Sequence, residues 1–320
     1  MIKKRQFGKT DIKVSEIGLG GWQLGGLTTI NGVSIGYSDV SEQTTKQIIT
    51  RALELGIDTF DTADSYSLGN SERRLGEILK ENRSNIHIFT KGGDVPSYSK
   101  SGLFETDLSY NHLIAALRRS LNRLGTDYVD LFQAHSPPMS ENDYESIEKA
   151  FIKIKSDGMA RYCGVSIGLN YEKGIELIKR GIVDSLQLYF SLINFKPIKK
   201  LLPLAKKNGI GVIVAEPLEQ GLLTNKYKKD SVFPTSDMRS AFSRDRIKTR
   251  IEKRNQFNFL LNNEREINQV ALSYVLNRNE ISTTIPGVNS VLQLESNIKS
   301  SEIKLSLDEF YKIENIQKMW

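Results

Sequence analysis

Apolar positions along this chain follow two alternating rhythms. Short apolar runs appear at 57–60, 86–90, 128–133, 161–166, 185–189, 210–215 and 281–285. Between them lie segments whose apolar residues recur every three or four positions, at 71–81, 107–124, 143–157, 170–180, 196–208 and 264–277. Runs of the first kind suit buried strands and those of the second kind suit amphipathic helices. An earlier strand, Glu16–Trp22, ends in glycines, and Ser41 opens a helix carrying Ile48, Ile49, Ala52 and Leu55, stopped at Gly56. That makes eight strand-then-helix units closed by a helix over 290–299. The count predicts a single α/β domain over residues 1–320, a (β/α)8 TIM barrel with helices outside a closed parallel sheet.

Three stretches fall outside the repeat. Lys3–Phe7 and Ile12–Val14 flank Gly8-Lys9-Thr10-Asp11 and read as an N-terminal hairpin. Ser306–Trp320 reads as an extra C-terminal helix capped by Ser306, with Leu307, Phe310 and Ile313 on its apolar face. From Pro217 to about Asn263 no element is predicted, although a structureless loop of that length is usually functional. Its part from Lys226 to Arg254 holds ten Lys or Arg against four Asp or Glu.

Composition narrows the function classes. No apolar segment suits a secretory signal or a membrane span, and the single cysteine, Cys163, forms no internal disulfide. A reducing, cytoplasmic setting is the expectation. Three histidines and one cysteine make a dedicated zinc site improbable, so no metal is expected. The net charge of +6 suits the phosphates of a cofactor as well as it suits nucleic acid, and no nucleic-acid motif accompanies it. The expected partner is therefore a small molecule, with neither nucleic acid nor membrane; the oligomeric state is not legible.

The candidate chemistry sits just past the strand ends. Asp61 and Tyr66 follow the second strand, Lys91 the third and His135 the fourth. Ser166 ends the fifth, Gln187 lies on the sixth, Glu216-Pro217 follow the seventh and Pro286-Gly287 the eighth. In a (β/α)8 barrel all of these open on the C-terminal face, where active sites lie. Taken singly, each has an ordinary structural use as a turn acid, packed tyrosine, solvated lysine or bonded histidine. As a set they fit proton delivery to a carbonyl oxygen while hydride reaches its carbon. The lysine is expected to lower the phenol's pKa, the aspartate to hold the lysine, and the histidine to orient the carbonyl or share the proton.

The stretches FGKTDIKVSEIGLGGW, GIDTFDTADSYSLGNSERRLGEIL, IFTKGG and LGTDYVDLFQAHSPP resemble the aldo-keto reductase family. So do KSDGMARYCGVS, LQLYFSLIN, PLEQGLLTNKY and TTIPGVNSVLQLESN, and together they span nearly the whole chain. The resemblance implies an NADP(H)-dependent reductase of an aldehyde or ketone, with NAD(H) the alternative cofactor. It implies Asp61, Tyr66, Lys91 and His135 as the catalytic tetrad. It places Ser166 and Gln187 at the nicotinamide carboxamide, and Gly287, Asn289, Gln293 and Asn297 at the adenosine end. Gly21, Trp22, Pro217, Leu218, Gly221 and Lys226 complete the expected cofactor contacts.

Three departures qualify what the resemblance implies. Ile167 stands where the family has an asparagine after the serine, with Asn170 nearby. Ala215 stands where an aromatic residue or arginine is common. The segment PGVNSV lacks the basic residue that many members direct at the 2′-phosphate, which leaves the basic stretch from Lys226 to Arg254 to fold over the cofactor's phosphates. The loops 22–40, 93–106 and 218–262 are expected to form the substrate walls, with Trp22 and Tyr98 as candidate lining. Their Ser, Asn, Thr and Gly content favours a sugar or other polar carbonyl compound. The rival function is a regulatory barrel that binds the cofactor and turns over slowly, which the resemblance permits because some relatives serve as channel-associated subunits.

Overall fold

The computed structural model describes residues 2–37, 39–97 and 103–320; Tyr98 lies outside them. Eight parallel strands follow one another in sequence order: β1 (Leu19–Gly20), β2 (Thr59–Asp61), β3 (His87–Gly92), β4 (Val129–Ala134), β5 (Ala160–Gly168), β6 (Ser185–Tyr189), β7 (Gly211–Ala215) and β8 (Thr283–Thr284). The ring closes where Gly18 N–H donates to Thr284 O and Gly20 N–H to Pro286 O, at 2.8 and 3.3 Å. Parallel bridges pair Ile17 with Thr284 and Gly20 with Gly287 across the same seam. Every residue of β2 and β4 is buried, as strands covered on both faces require.

The outer layer holds α1 (Glu42–Glu54), α2 (Asn70–Leu79), α3 (Tyr110–Leu124), α4 (Glu141–Ser156), α5 (Tyr171–Arg180) and α6 (Leu201–Lys207). After α7 (Arg244–Asn255), discussed below, come α8 (Ile267–Leu276), α9 (Val291–Lys299) and α10 (Leu307–Lys318). Local sequence fixes several starts. Ser140 and Asp143 form a reciprocal capping box at α4, and Ser306 and Glu309 do the same at α10. Gly125, in the left-handed region at φ 64°, ends α3.

The floor of the barrel is sealed by the hairpin Lys4–Gln6 with Lys13–Ser15. It drives Phe7, Ile12 and Val14 against Phe89, Leu131, Ile213 and Ile285. Phe7 is fully buried, and a side chain at Gly211 would place its Cβ 2.8 Å from the Phe7 ring. The larger cavity opens on the opposite face of the barrel.

The structure departs from the sequence expectation in four places. The polar stretch after Trp22 contains a hairpin, Thr28–Ile30 with Val33–Ile35, and a second hairpin pairs Asp94–Pro96 with Phe104–Thr106. Three-residue strands are too short to leave a periodicity. The helix expected over 196–208 begins at Leu201, after a 3₁₀ turn that carries Pro197. The segment after β7 is not structureless, because α7 lies within it, capped by Ser243. Its buried face is only Ile247 and Ile251, which pack with Leu222 and Phe233, so the strongly charged sequence hides the helical period.

Candidate active site

β2, β3, β4 and β6 deliver the polar core of the site. Lys91, from β3, is completely buried and donates hydrogen bonds to the Asp61 carboxylate, to Thr62 O at 2.8 Å and to the Tyr66 hydroxyl at 3.2 Å. Those three bonds use all the donors an ammonium has. The other Asp61 oxygen accepts from Gln187 Nε2 at 2.8 Å and Gln133 Nε2 at 3.4 Å. A buried ion pair is tenable only when its remaining bonding capacity is met in this way.

Tyr66 is aimed by an unusual turn. Ser67 and Leu68 both lie in the left-handed region, at φ 49° and 53°, followed by Gly69 at 86°. Such conformations cost non-glycine residues about 1–2 kcal/mol each, so the surroundings must hold them. Ser67 Oγ donates to Gly26 O at 2.5 Å and Asn70 Nδ2 to Gly25 O at 2.7 Å, tying the turn to the chain after Trp22. The Trp22 ring meets the Tyr66 ring edge-on at 4.8 Å, and the His135 ring lies 5.6 Å from it.

Electrostatics corrects one expectation. The Tyr66 phenol is held well above its ordinary pKa, first by burial and then by the negative charges of Asp61, Asp94 and Glu216. The expected lowering by Lys91 does not prevail, because burial and then the surrounding carboxylates favour the neutral phenol. Tyr66 therefore stays protonated, and since its oxygen accepts from Lys91, its own proton is free to face the cavity. His135 is pushed below its ordinary pKa chiefly by burial and secondarily by Lys91, with Asp94 and Asp61 opposing. Its ring is neutral near pH 7.

These groups form the floor of a cavity of about 1,090 Å³ on the C-terminal face. Asp61, Tyr66 and His135 line it, while Lys91 sits behind them and reaches it only through Tyr66. Near the floor the lining includes Gly21, Trp22, Ser166 and Gln187. Asn170 also lines it, although its amide is turned onto Ile167 O at 3.3 Å. One wall carries Pro217, Leu218, Gly221 and Lys226. The far end, at the N-terminus of α9, carries Gly287, Asn289, Gln293 and Asn297. The residues expected at the site thus surround one cavity.

The arrangement fits a dinucleotide. Trp22 and Gln23 line the cavity, and among the described residues Trp22 Nε1 and Gln23 Oε1 are buried without a hydrogen-bond partner. Buried polar atoms of this kind are rarely left unmet, and both residues border the space a ligand would fill. Among the described residues no His, Cys, Asp and Glu cluster could hold a metal ion.

The basic segment behaves differently from expectation. Lys229 pairs with Glu252 at 2.9 Å, Arg250 with Glu219 at 3.0 Å, and Arg254 donates to Thr224 O and Tyr227 O at 2.6 and 2.9 Å. Those charges anchor the segment to itself. Lys228 and Lys229 do not line the cavity, whereas Lys226 and Arg239 do. Arg239 is bound to Asp237 and lies 4.5–4.8 Å from the ring centroids of Phe233, Tyr37 and Tyr227. It thereby clasps the segment onto the loop that follows Trp22.

Sequence reasoning named no role for Asp94, Tyr37, Gln133 or the Glu216 side chain. Asp94 falls three residues past Lys91 and shares its strand-end signal. Glu216 lies at φ 51° on the cavity wall, accepts from Gln220 Nε2 at 2.7 Å, and is pushed up to about 7 by burial. Asp64 is pushed up to about 8, first by burial and then by Glu72, and among the described residues its Oδ1 has no partner.

A family model for the aldo/keto reductase family matches residues 16–318. The chain is 30% identical to the "Uncharacterized oxidoreductase YqkF" of Bacillus subtilis, covering 97% of this chain and 95% of that protein. It is 31% identical to the "NADH-specific methylglyoxal reductase" of Escherichia coli, covering 95% of each. The solved holo form of aldo-keto reductase AKR11C1 from Bacillus halodurans superposes with a TM-score of 0.80 at 28% identity, covering 99% of this chain and 96% of that one. The chain belongs to the aldo/keto reductase family and is a pyridine-nucleotide-dependent oxidoreductase.

Proposed function

We propose that this chain reduces the carbonyl of a small polar aldehyde or ketone to an alcohol, with Tyr66 giving the proton. The observation that carries the reading is the hydrogen bond from Lys91 to the Tyr66 oxygen at 3.2 Å on the cavity floor. It makes that oxygen an acceptor, turns the phenolic proton outward, and keeps a positive charge beside the phenolate that forms on proton loss. Nicotinamide dinucleotide supplies the hydride when bound. Gln187 and Ser166 would hold the carboxamide, with Asn170 close by. Asn289, Gln293 and Asn297 would hold the adenosine end, beside Gly287, whose missing side chain leaves room for the Gln23 amide. NADP(H) is the proposed cofactor, with Lys226 the lysine of the basic segment at hand for its extra phosphate. The NADH specificity named for the E. coli relative keeps NADH as the alternative.

The test is turnover of a panel of hydroxylated, simple and anionic aldehydes and ketones with NADPH and with NADH, followed by loss of reduced-nicotinamide absorbance. Turnover of at least one class, lost in Tyr66→Phe, supports the reading. Cofactor binding without turnover of any carbonyl compound would instead support the regulatory barrel.

A further inference from the structure

Arg246, Arg250 and Arg254 fall four residues apart on α7 and so share one face of the helix. All three reach the connection that leaves β7. Arg246 Nη2 donates to the Gln220 side-chain oxygen at 3.1 Å, Arg250 Nε to the Glu219 carboxylate at 3.0 Å, and Arg254 Nη1 to Thr224 O at 2.6 Å. These arginines do not line the cavity, whereas Glu216, Pro217, Leu218, Gln220 and Gly221 do. The stripe stands behind the wall.

That wall is strained. Glu216, Glu219 and Gln220 lie in the left-handed region at φ 51°, 49° and 58°, and Gly221 follows at 90°. Residues other than glycine keep such a conformation only where their surroundings over-determine it. Here α7 supplies much of the determination. Glu219 is 7% exposed, and the oxygen that Arg250 leaves free accepts from the buried Ser191 Oγ at 2.6 Å, just past β6. Gln220 carries the constraint to the cavity side, donating from Nε2 to Glu216 at 2.7 Å, while its backbone oxygen accepts from Arg239 at 2.9 Å. Ile247 and Ile251 cluster with Leu222 and hold the helix against the same turn.

We infer that Arg246 and Arg250 are positioning residues that hold the Glu216–Gly221 turn in the shape a dinucleotide needs, without touching the dinucleotide. The inference rests on the reading that this wall holds the cofactor. It gives the basic helix a use that does not depend on a 2′-phosphate. Once the turn relaxes, only the molecules that keep the competent shape bind, and the apparent affinity falls by that fraction. The arginines contact no phosphate in this arrangement, so NADPH and NADH lose alike.

The test is fluorescence titration of NADPH and of NADH, over a range of salt, against wild type, Arg250→Met, Arg250→Lys and Arg246→Met. Arg250→Met should weaken both cofactors by the same factor, roughly tenfold, the scale of one hydrogen bond to a charged group. The dependence of affinity on salt should keep its wild-type slope, because no screened phosphate contact is removed. Arg250→Lys returns a cation to Glu219 and should regain part of the affinity. Arg246→Met gives up a bond to a neutral amide and strips no carboxylate of its cation, so it keeps the test readable should Arg250→Met fail to fold. Its loss should be smaller, about threefold, and again equal for the two cofactors.

Wild-type affinity in whichever methionine variants fold would overturn the inference and leave α7 as packing alone. So would a loss confined to NADPH, or a flatter salt slope, either of which would put the arginines on a phosphate. Failure of the cofactor reading looks different, because the wild type itself would then bind neither dinucleotide.

Discussion

Lys91 Nζ donates to the Tyr66 phenol oxygen across 3.2 Å, so the proton that Tyr66 itself carries is directed away from the lysine and into the cavity. In the proposed reaction the phenol acts as an acid despite its raised pKa, because the ammonium behind it would stabilise the charge that forms on proton loss. Tyr66→Phe removes the proton and leaves the ring against Trp22 and His135. Carbonyl reduction should drop by about 10²- to 10⁴-fold, the usual contribution of general acid catalysis. Cofactor affinity, read by fluorescence titration, should stay nearly unchanged. A variant that keeps half its turnover would remove Tyr66 from the mechanism.

Lys91→Met tests the ion pair as structure as well as chemistry. Asp61 is 1% exposed, and without the ammonium its charge is buried with only two amide donors. Losing one partner of a buried pair typically costs about 3–5 kcal/mol. Denaturant unfolding should show a loss of that order, and Asp61→Asn added to Lys91→Met should regain much of it. Turnover should stay low in both. Equal stability of the single variant and the wild type would mean that Asp61 is not charged in the folded site.

Glu216 gives the protein a pH-dependent stability with a defined sign. Its carboxyl is pushed from 4.5 up to about 7, so between those values the folded state holds a proton that the unfolded state releases. The stability from that proton is fully present below about pH 4.5 and lost as pH rises through about 7. Glu216→Gln retains the oxygen that accepts from Gln220 and removes the charge. Melting temperatures of the variant and wild type should agree at pH 5 and diverge above pH 8, with the variant more stable by on the order of 2 kcal/mol. Asp64, pushed up to about 8, extends the same loss to slightly higher pH. A variant no more stable than wild type above pH 8 would show that burial does not raise the Glu216 pKa.

Lys226 is the one lysine of the basic segment that lines the cavity among the described residues. Lys226→Gln should weaken NADPH more than NADH, and it should flatten the salt dependence of NADPH binding, since an exposed phosphate contact is screened near physiological ionic strength. Equal losses for the two cofactors would place Lys226 on the pyrophosphate instead. Lys229→Gln serves as the comparison, because that lysine is paired with Glu252 and should leave both affinities unchanged.

The alternation of short apolar runs with amphipathic segments determined the barrel, because a strand buried on both faces and a helix buried on one leave different periods in the sequence. The same alternation put Asp61, Lys91, His135 and Gln187 at strand positions opening on one face, and β6 falls at Ser185–Tyr189, the residues its pattern marks. What the sequence could not decide was how those side chains act on one another. The direction of the Tyr66 pKa depends on burial and on Asp94 and Glu216, which stand 28 and 150 residues further along the chain than Tyr66. Charge count suggested that the basic segment faces the cofactor, but folding spends Arg250, Arg254 and Lys229 on partners in the same connection after β7. The Asp94–His135 contact joins the residues past two adjacent strands, across a gap of 41 positions, and only closure of the sheet brings them to 3.1 Å. Periodicity is local and survives in one dimension; electrostatic coupling falls off with distance in three, so it exists only once the chain has folded.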